Sequence, residues 1–146
     1  MKYLIIFLSL IAISCSKEND FAEQNENEIN AYIEKNNLDA IKSKSGLYYV
    51  INKAGVGLTP SNRSDVKVSY TGYFTDGKVF DKSSEGISFN LQNVIKGWTE
   101  GIRYFRKGGE GILLIPSSLG YGPEDKSGIP GGSVLIFNIK LIEIYN

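Results

Sequence analysis

Histidine is absent from all 146 residues. That removes Ser-His-Asp and Cys-His catalysis, imidazole acid–base chemistry and most zinc sites together. The one cysteine cannot form an internal disulfide, and the one tryptophan, Trp98, leaves a single indole to anchor a core or wall a site. Lys+Arg and Asp+Glu both number 16, so no excess of either sign points to nucleic acid as partner. No glycine or proline precedes Gly46; all 16 glycines and four prolines lie at or beyond it, which sets the expected start of the folded domain. The apolar run from Tyr3 to Ile13 is too short to cross a bilayer as a helix.

That run follows Lys2 and precedes small Ser14 and Cys15, the layout of a signal peptide over residues 1–14. Ala12-Ile13-Ser14-Cys15 resembles a bacterial lipobox, with alanine where leucine is commoner. On this reading Cys15 carries the lipid and the protein is a cell-envelope lipoprotein anchored to the outer membrane, on its periplasmic or surface side. An ordinary secretory peptide with a chance cysteine is the alternative. Residues 15–45 are polar, rich in Asn, Glu and Gln in their first half, and read as a tether. Within it Ile29, Tyr32 and Ile33, continued by Leu38 and Ile41, put one apolar stripe on a short helix over Glu26–Asn36. Such a helix rests on its own domain or on a partner.

From Gly46 the chain reads as strands. "GLYYVINKAG" is a first strand. "DVKVSYTGYFT" alternates Val66, Val68, Tyr70, Gly72 and Phe74 on one face with polar residues and Tyr73 on the other. Asp76-Gly77 predicts a type I′ hairpin with a two-residue loop, after which "KVFDKS" runs back. "EGILLIP" is apolar throughout from Ile112 to Ile115, as a strand covered on both faces would be, and "SVLIFNIKLIEI" is a long last strand with Leu135, Phe137, Ile139 and Leu141 on one face. Trp98, Ile102 and Phe105, spaced i, i+4, i+7 before Gly108-Gly109, predict one helix of about two turns. Too short to stand alone, it needs the concave face of a sheet. The fold class is therefore α+β: a curved antiparallel β-sheet, a half-barrel, wrapped around one short α-helix, with Trp98 at the opening and Ile102 and Phe105 inside.

The two-residue loop would pair Gly72 with Asp81, and Tyr70 lies two residues along on the same face. A carboxylate among Val66, Val68, Phe74 and Val79 needs a donor, and the Tyr70 hydroxyl is placed to be it. In this simple register Phe80 and Asp81 face opposite ways; both can line one pocket only if a bulge or the strand end turns one of them.

"VSYTGYFTDGKVFD", "VIKGWTEGI", "LIPSSLGYG" and "GIPGGSVLIFNIKLIEI" occur in the order and near the spacing of the FKBP family of peptidyl-prolyl cis–trans isomerases, which residues 46–146 resemble. The resemblance implies a five- or six-stranded half-barrel around one helix, with a proline pocket between them. By position, Asp81, Tyr121, Trp98 and Phe80 would be the catalytic residues, with Trp98 the floor under the proline ring. Tyr70, Ile87, Val94, Ile95, Ile129 and Phe137 would complete the substrate pocket, the Ile95 N–H and Tyr121 hydroxyl holding substrate carbonyls. Pro130 would belong to a flap, which Gly131-Gly132, where the family often has a second proline, should loosen.

No cofactor or metal is implied. The expected partners are proline-containing segments of exported proteins and the membrane through the lipid; macrolide immunosuppressants would be inhibitors, and the chain would be a monomer. The chemistry agrees with the missing histidine, because prolyl isomerisation breaks no covalent bond. Two uses of the pocket remain: an isomerase acting on X-Pro bonds, or a chaperone or assembly module that holds proline segments with little turnover. Whether Asp81 meets the substrate or only braces Tyr70 is likewise open at this point.

Overall fold

The computed structural model describes residues 21–145, so the expected signal segment and Cys15 lie outside the described residues. Helix α1 occupies residues 21–35, reaching further towards the N-terminus than the expected Glu26–Asn36, and Asn37 with φ 51° follows its end. Six strands form one antiparallel sheet: β1 (Ile41–Lys42), β2 (Tyr48–Lys53), β3 (Asp65–Tyr73), β4 (Val79–Asn90), β5 (Glu110–Ile115) and β6 (Leu135–Tyr145), in the spatial order β1-β2-β5-β6-β3-β4. Helix α2 (Lys96–Gly101) continues as a 3-10 turn over Ile102–Tyr104.

Each face of the sheet buries its own cluster. On one face Val66, Val68, Leu113, Ile115, Leu135, Phe137, Ile139 and Leu141 close over Trp98, Ile102 and Phe105 from the α2 segment. Phe105 already has extended backbone, yet the 3-10 turn keeps it in the line that the i, i+4, i+7 spacing set out. On the other face Tyr48, Val50, Leu114 and Ile136 meet Ile29 of α1, with Tyr32, Ile33 and Leu38 packed around them. Burying Ile29 to 1% exposure contributes about 1.5–3 kcal/mol. This second layer is why β5 is apolar from Ile112 to Ile115: Leu113 and Ile115 face α2 while Ile112 and Leu114 face α1.

Two expectations need correction. Ile41 does not continue the helical stripe; it lies in β1, paired with Tyr49, and is 54% exposed. The sheet therefore begins ahead of Gly46. The β3–β4 hairpin also differs from the two-residue form. The Gly77 N–H donates to the Phe74 carbonyl at 2.9 Å and the Phe74 N–H to the Lys78 carbonyl at 3.0 Å. Of the turn residues only Gly77 has positive φ, 90°, so this is a three-residue loop over Thr75, Asp76 and Gly77 with a left-handed glycine at its end. Asp76 prefers this form because its carboxylate accepts the Lys78 N–H at 2.9 Å.

The longer loop shifts the pairing. Tyr73 now faces Val79, while Gly72 still faces Asp81, leaving Phe80 as the extra residue of a bulge. The expected Gly72–Asp81 pair survives because the loop and the bulge compensate. Phe80 is thereby turned to the same side as Asp81.

Candidate active site

Tyr70, Phe80, Asp81, Ile87, Val94, Ile95, Trp98, Tyr121 and Phe137 line one cavity of about 310 Å³ between the α2 segment and the β3–β4 end of the sheet. These are nine of the ten residues that the sequence assigned to a pocket. The tenth, Ile129, packs against the core but lines a separate hollow of about 340 Å³ with Asp125, Lys126, Ser127, Gly128 and Pro130. Asn93, which the sequence pattern does not mark, completes the cavity. Its only signal was adjacency to Val94, on an exposed polar residue that no periodicity marks.

The floor is Trp98, in the first turn of α2 and 5% exposed. Thr99 beside it donates its hydroxyl to the Leu91 carbonyl at 2.5 Å, and its N–H and that of Trp98 both donate to the Ile95 carbonyl. These bonds fix α2 to the 3-10 turn before it, which Asn90 caps by accepting the Gln92 N–H at 2.9 Å. Tyr70 and Phe137 meet the indole edge-on, with centroids at 4.9 and 5.1 Å and planes at 82° and 78°. Phe80 stands edge-on to Phe137 at 5.5 Å. Such perpendicular contacts set the positive edge of one ring on the negative face of the next and hold all four rings in fixed orientations.

Gly72 permits this closure. A Cβ there would lie 2.7 Å from Phe137 Cε1 and 2.8 Å from Phe80 Cζ, so any side chain would force the rings apart.

The Tyr70 hydroxyl donates to Asp81 Oδ2 at 2.7 Å, the bond that the shared face of β3 and β4 predicted. Burial, then this bond and the Asp81 charge, push the Tyr70 phenol up to about 12, so it remains a donor throughout the physiological range. Asp81 itself is exposed at the cavity mouth, while Trp98 Nε1 is buried with no hydrogen-bond partner among the described residues. The site thus grades from a dry aromatic floor to one solvated carboxylate.

Tyr121, 37% exposed, enters from the loop between β5 and β6. That loop is closed rather than slack. Lys126 and Ile129 exchange both backbone bonds, at 2.9 and 2.7 Å, around Ser127 and Gly128, which both have positive φ as a type I′ turn requires. The two glycines expected to loosen it are engaged: the Gly131 N–H donates to the Asp125 carboxylate at 2.7 Å, and the Gly132 N–H to the Gly122 carbonyl at 2.9 Å.

Comparison with known proteins agrees with this geometry. Residues 57–142 match the model of the FKBP-type peptidyl-prolyl cis-trans isomerase family. The FKBP-type peptidyl-prolyl cis-trans isomerase FkpA of Escherichia coli K12 is 43% identical over 105 residues, 70% of this chain and 39% of the relative. Its counterpart in Buchnera aphidicola is 41% identical over 108 residues, 72% of this chain and 45% of the relative. The chain thus spans less than half the length of these curated relatives. The crystal structure of Escherichia coli FkpA superposes with a TM-score of 0.76 at 34% identity, covering 98% of this chain and 70% of that one. That of a Pseudomonas syringae peptidyl-prolyl isomerase gives 0.78 at 28% identity, covering 88% and 96%. With the model matched across most of the sheet and the pocket inside that match, the chain belongs to the family of FKBP-type peptidyl-prolyl cis-trans isomerases.

Proposed function

We propose that this chain accelerates the cis–trans isomerisation of X-Pro bonds in exported proteins. The observation that carries the reading is the cavity itself: four interlocked aromatic rings under a mouth that holds one hydrogen-bonded carboxylate. At about 310 Å³ it stands at the small end of ligand sites, suited to a ring and its flanking peptide.

The amide to be turned has a barrier of ~18–20 kcal/mol and relaxes uncatalysed in roughly tens to hundreds of seconds. Twisting it removes the resonance that separates charge, so the transition state is less polar than either planar form. A dry aromatic floor therefore favours the twisted state relative to water, and each ~1.4 kcal/mol so gained is tenfold in rate. In this account the proline ring lies on Trp98, with Phe80, Phe137, Ile87 and Val94 excluding water. The Ile95 N–H and the Tyr121 hydroxyl hold the flanking carbonyls, with Ile129 and Pro130 approaching from the flap. Asp81 has its Oδ2 engaged by Tyr70, so it acts first as a brace on that ring. No proton is transferred, which is why a chain without histidine can carry the reaction.

An NMR exchange measurement on a short X-Pro peptide should show faster interconversion with catalytic amounts of the protein. Binding without faster interconversion would leave the chaperone or assembly module. A macrolide immunosuppressant that occupies the same cavity should compete.

For residues 1–15 the proposal is lipidation at Cys15 after removal of the signal segment, placing the monomeric domain on the cell envelope. Cys15→Ser should release the protein from membranes; persistence of the variant there would contradict the anchor.

A further inference from the structure

Asn25 is a polar side chain in the apolar face of α1, one turn after Phe21 and one before Ile29, and it is fully buried at 0% exposure. An amide in that position is costly unless its donor and acceptor are both engaged. Both are. Its Oδ1 accepts the Ser117 N–H at 2.8 Å and the Ser117 hydroxyl at 2.7 Å, and its Nδ2 donates to the Gly132 carbonyl at 2.8 Å. Ser117 and Gly132 are the two stems of the loop that carries Tyr121 and the flap.

The bonds continue from these stems to the site. The Ser117 carbonyl accepts from the N–H groups of Gly120 and Gly122, at 3.0 and 2.9 Å, and these two residues flank Tyr121. The Gly132 N–H closes the circuit on the Gly122 carbonyl at 2.9 Å. A second observation points the same way. Gly132 has φ 74°, and a Cβ there would lie 2.1 Å from the Phe21 ring, so this position is glycine because α1 rests directly on the flap stem.

We propose that Asn25 is a positioning residue for the reaction: by clamping both stems of the flap it sets the Tyr121 hydroxyl over the pocket. Asparagine suits the task because one short side chain must accept from Ser117 and donate to Gly132 at once; an ionised aspartate cannot donate. Helix α1, which precedes the sheet in the chain, thereby acts on the site without touching substrate. This rests on the isomerase reading.

The test is a double-mutant cycle on kcat/KM for X-Pro isomerisation, with wild type, Asn25→Ala, Tyr121→Phe and the double variant, each first shown to unfold cooperatively. Asn25→Ala should lower kcat/KM about tenfold with Tyr121 present and by less than about twofold in the Tyr121→Phe background, because coupled residues are non-additive. Equal losses in both backgrounds, or no loss, would overturn the proposal. Amide hydrogen exchange supplies a readout independent of activity: in Asn25→Ala, Gly120 and Gly122 should exchange at least about tenfold faster while Leu113 and Ile139 of the sheet do not. Unchanged exchange at Gly120 and Gly122 would overturn the clamp even if the wild type proved inactive, which would separately remove the isomerase reading. Should Asn25→Ala fail to fold, Ser117→Ala removes only the hydroxyl bond and should give the same pattern at about threefold.

Discussion

Trp98 and Tyr70 are both enclosed by rings, yet their polar atoms have opposite fates. Trp98 Nε1 has no partner among the described residues, while the Tyr70 hydroxyl is tied to Asp81 at 2.7 Å. The Tyr70–Asp81 bond was legible in the sequence because it needs only the period-2 alternation of one strand and the return of the next. The accompanying turn of Phe80 was not, since it depends on a bulge whose position follows from loop geometry. At this scale the account predicts an alkaline effect. The Tyr70 phenol is harder to ionise in the folded chain, about 12, than its ordinary 10.0, so its contribution to stability is complete below about pH 10 and is lost as pH rises towards about 12. Tyr70→Phe should lower stability by about 1 kcal/mol near neutral pH, because Asp81 loses its donor, and should show a shallower loss between those two pH values in chemical denaturation. Parallel pH curves for the two proteins would contradict the assigned cause.

Among the elements, strands were easier to read than their connections. Alternation gave β3 and β6, and the unbroken apolar run of β5 foretold a sheet covered on both faces, which α1 and α2 supply. Loop length did not follow from Asp76-Gly77 alone, because that pair serves a two-residue turn and a three-residue turn ending in a left-handed glycine equally well. Helix α1 was underestimated for a related reason. Polar composition suggested a tether, and Phe21 and Asn25 do not look like a docking face until the flap stem they touch is known. If α1 is integral to the domain, Ile29→Ala should cost about 2–5 kcal/mol, the range for emptying a buried isoleucine site, measured by urea unfolding. A cost within about 0.5 kcal/mol, as for a surface position, would show that the helix rests only loosely on the sheet.

Across the whole molecule, the fold places an aromatic floor from α2 and β6, walls from β3 and β4, and a roof from the β5–β6 loop around one cavity. Its architecture and nine of its ten anticipated residues could be read before the structure because four separated blocks of sequence each fix one of these walls. Ile129 could not be placed because the flap closes on itself through Lys126, in backbone bonds that residue types do not reveal. The central claim is that this pocket, and not the fold in general, lowers the barrier to prolyl rotation. Trp98 and Ile102 lie on the same short helical segment and are both buried, but only Trp98 lines the cavity. The direct test is therefore kcat/KM by NMR exchange for folded Trp98→Leu and Ile102→Val. The account predicts a loss of about tenfold or more for Trp98→Leu, and a change of less than about twofold for Ile102→Val despite its lower stability. Equal losses in the two variants would contradict it.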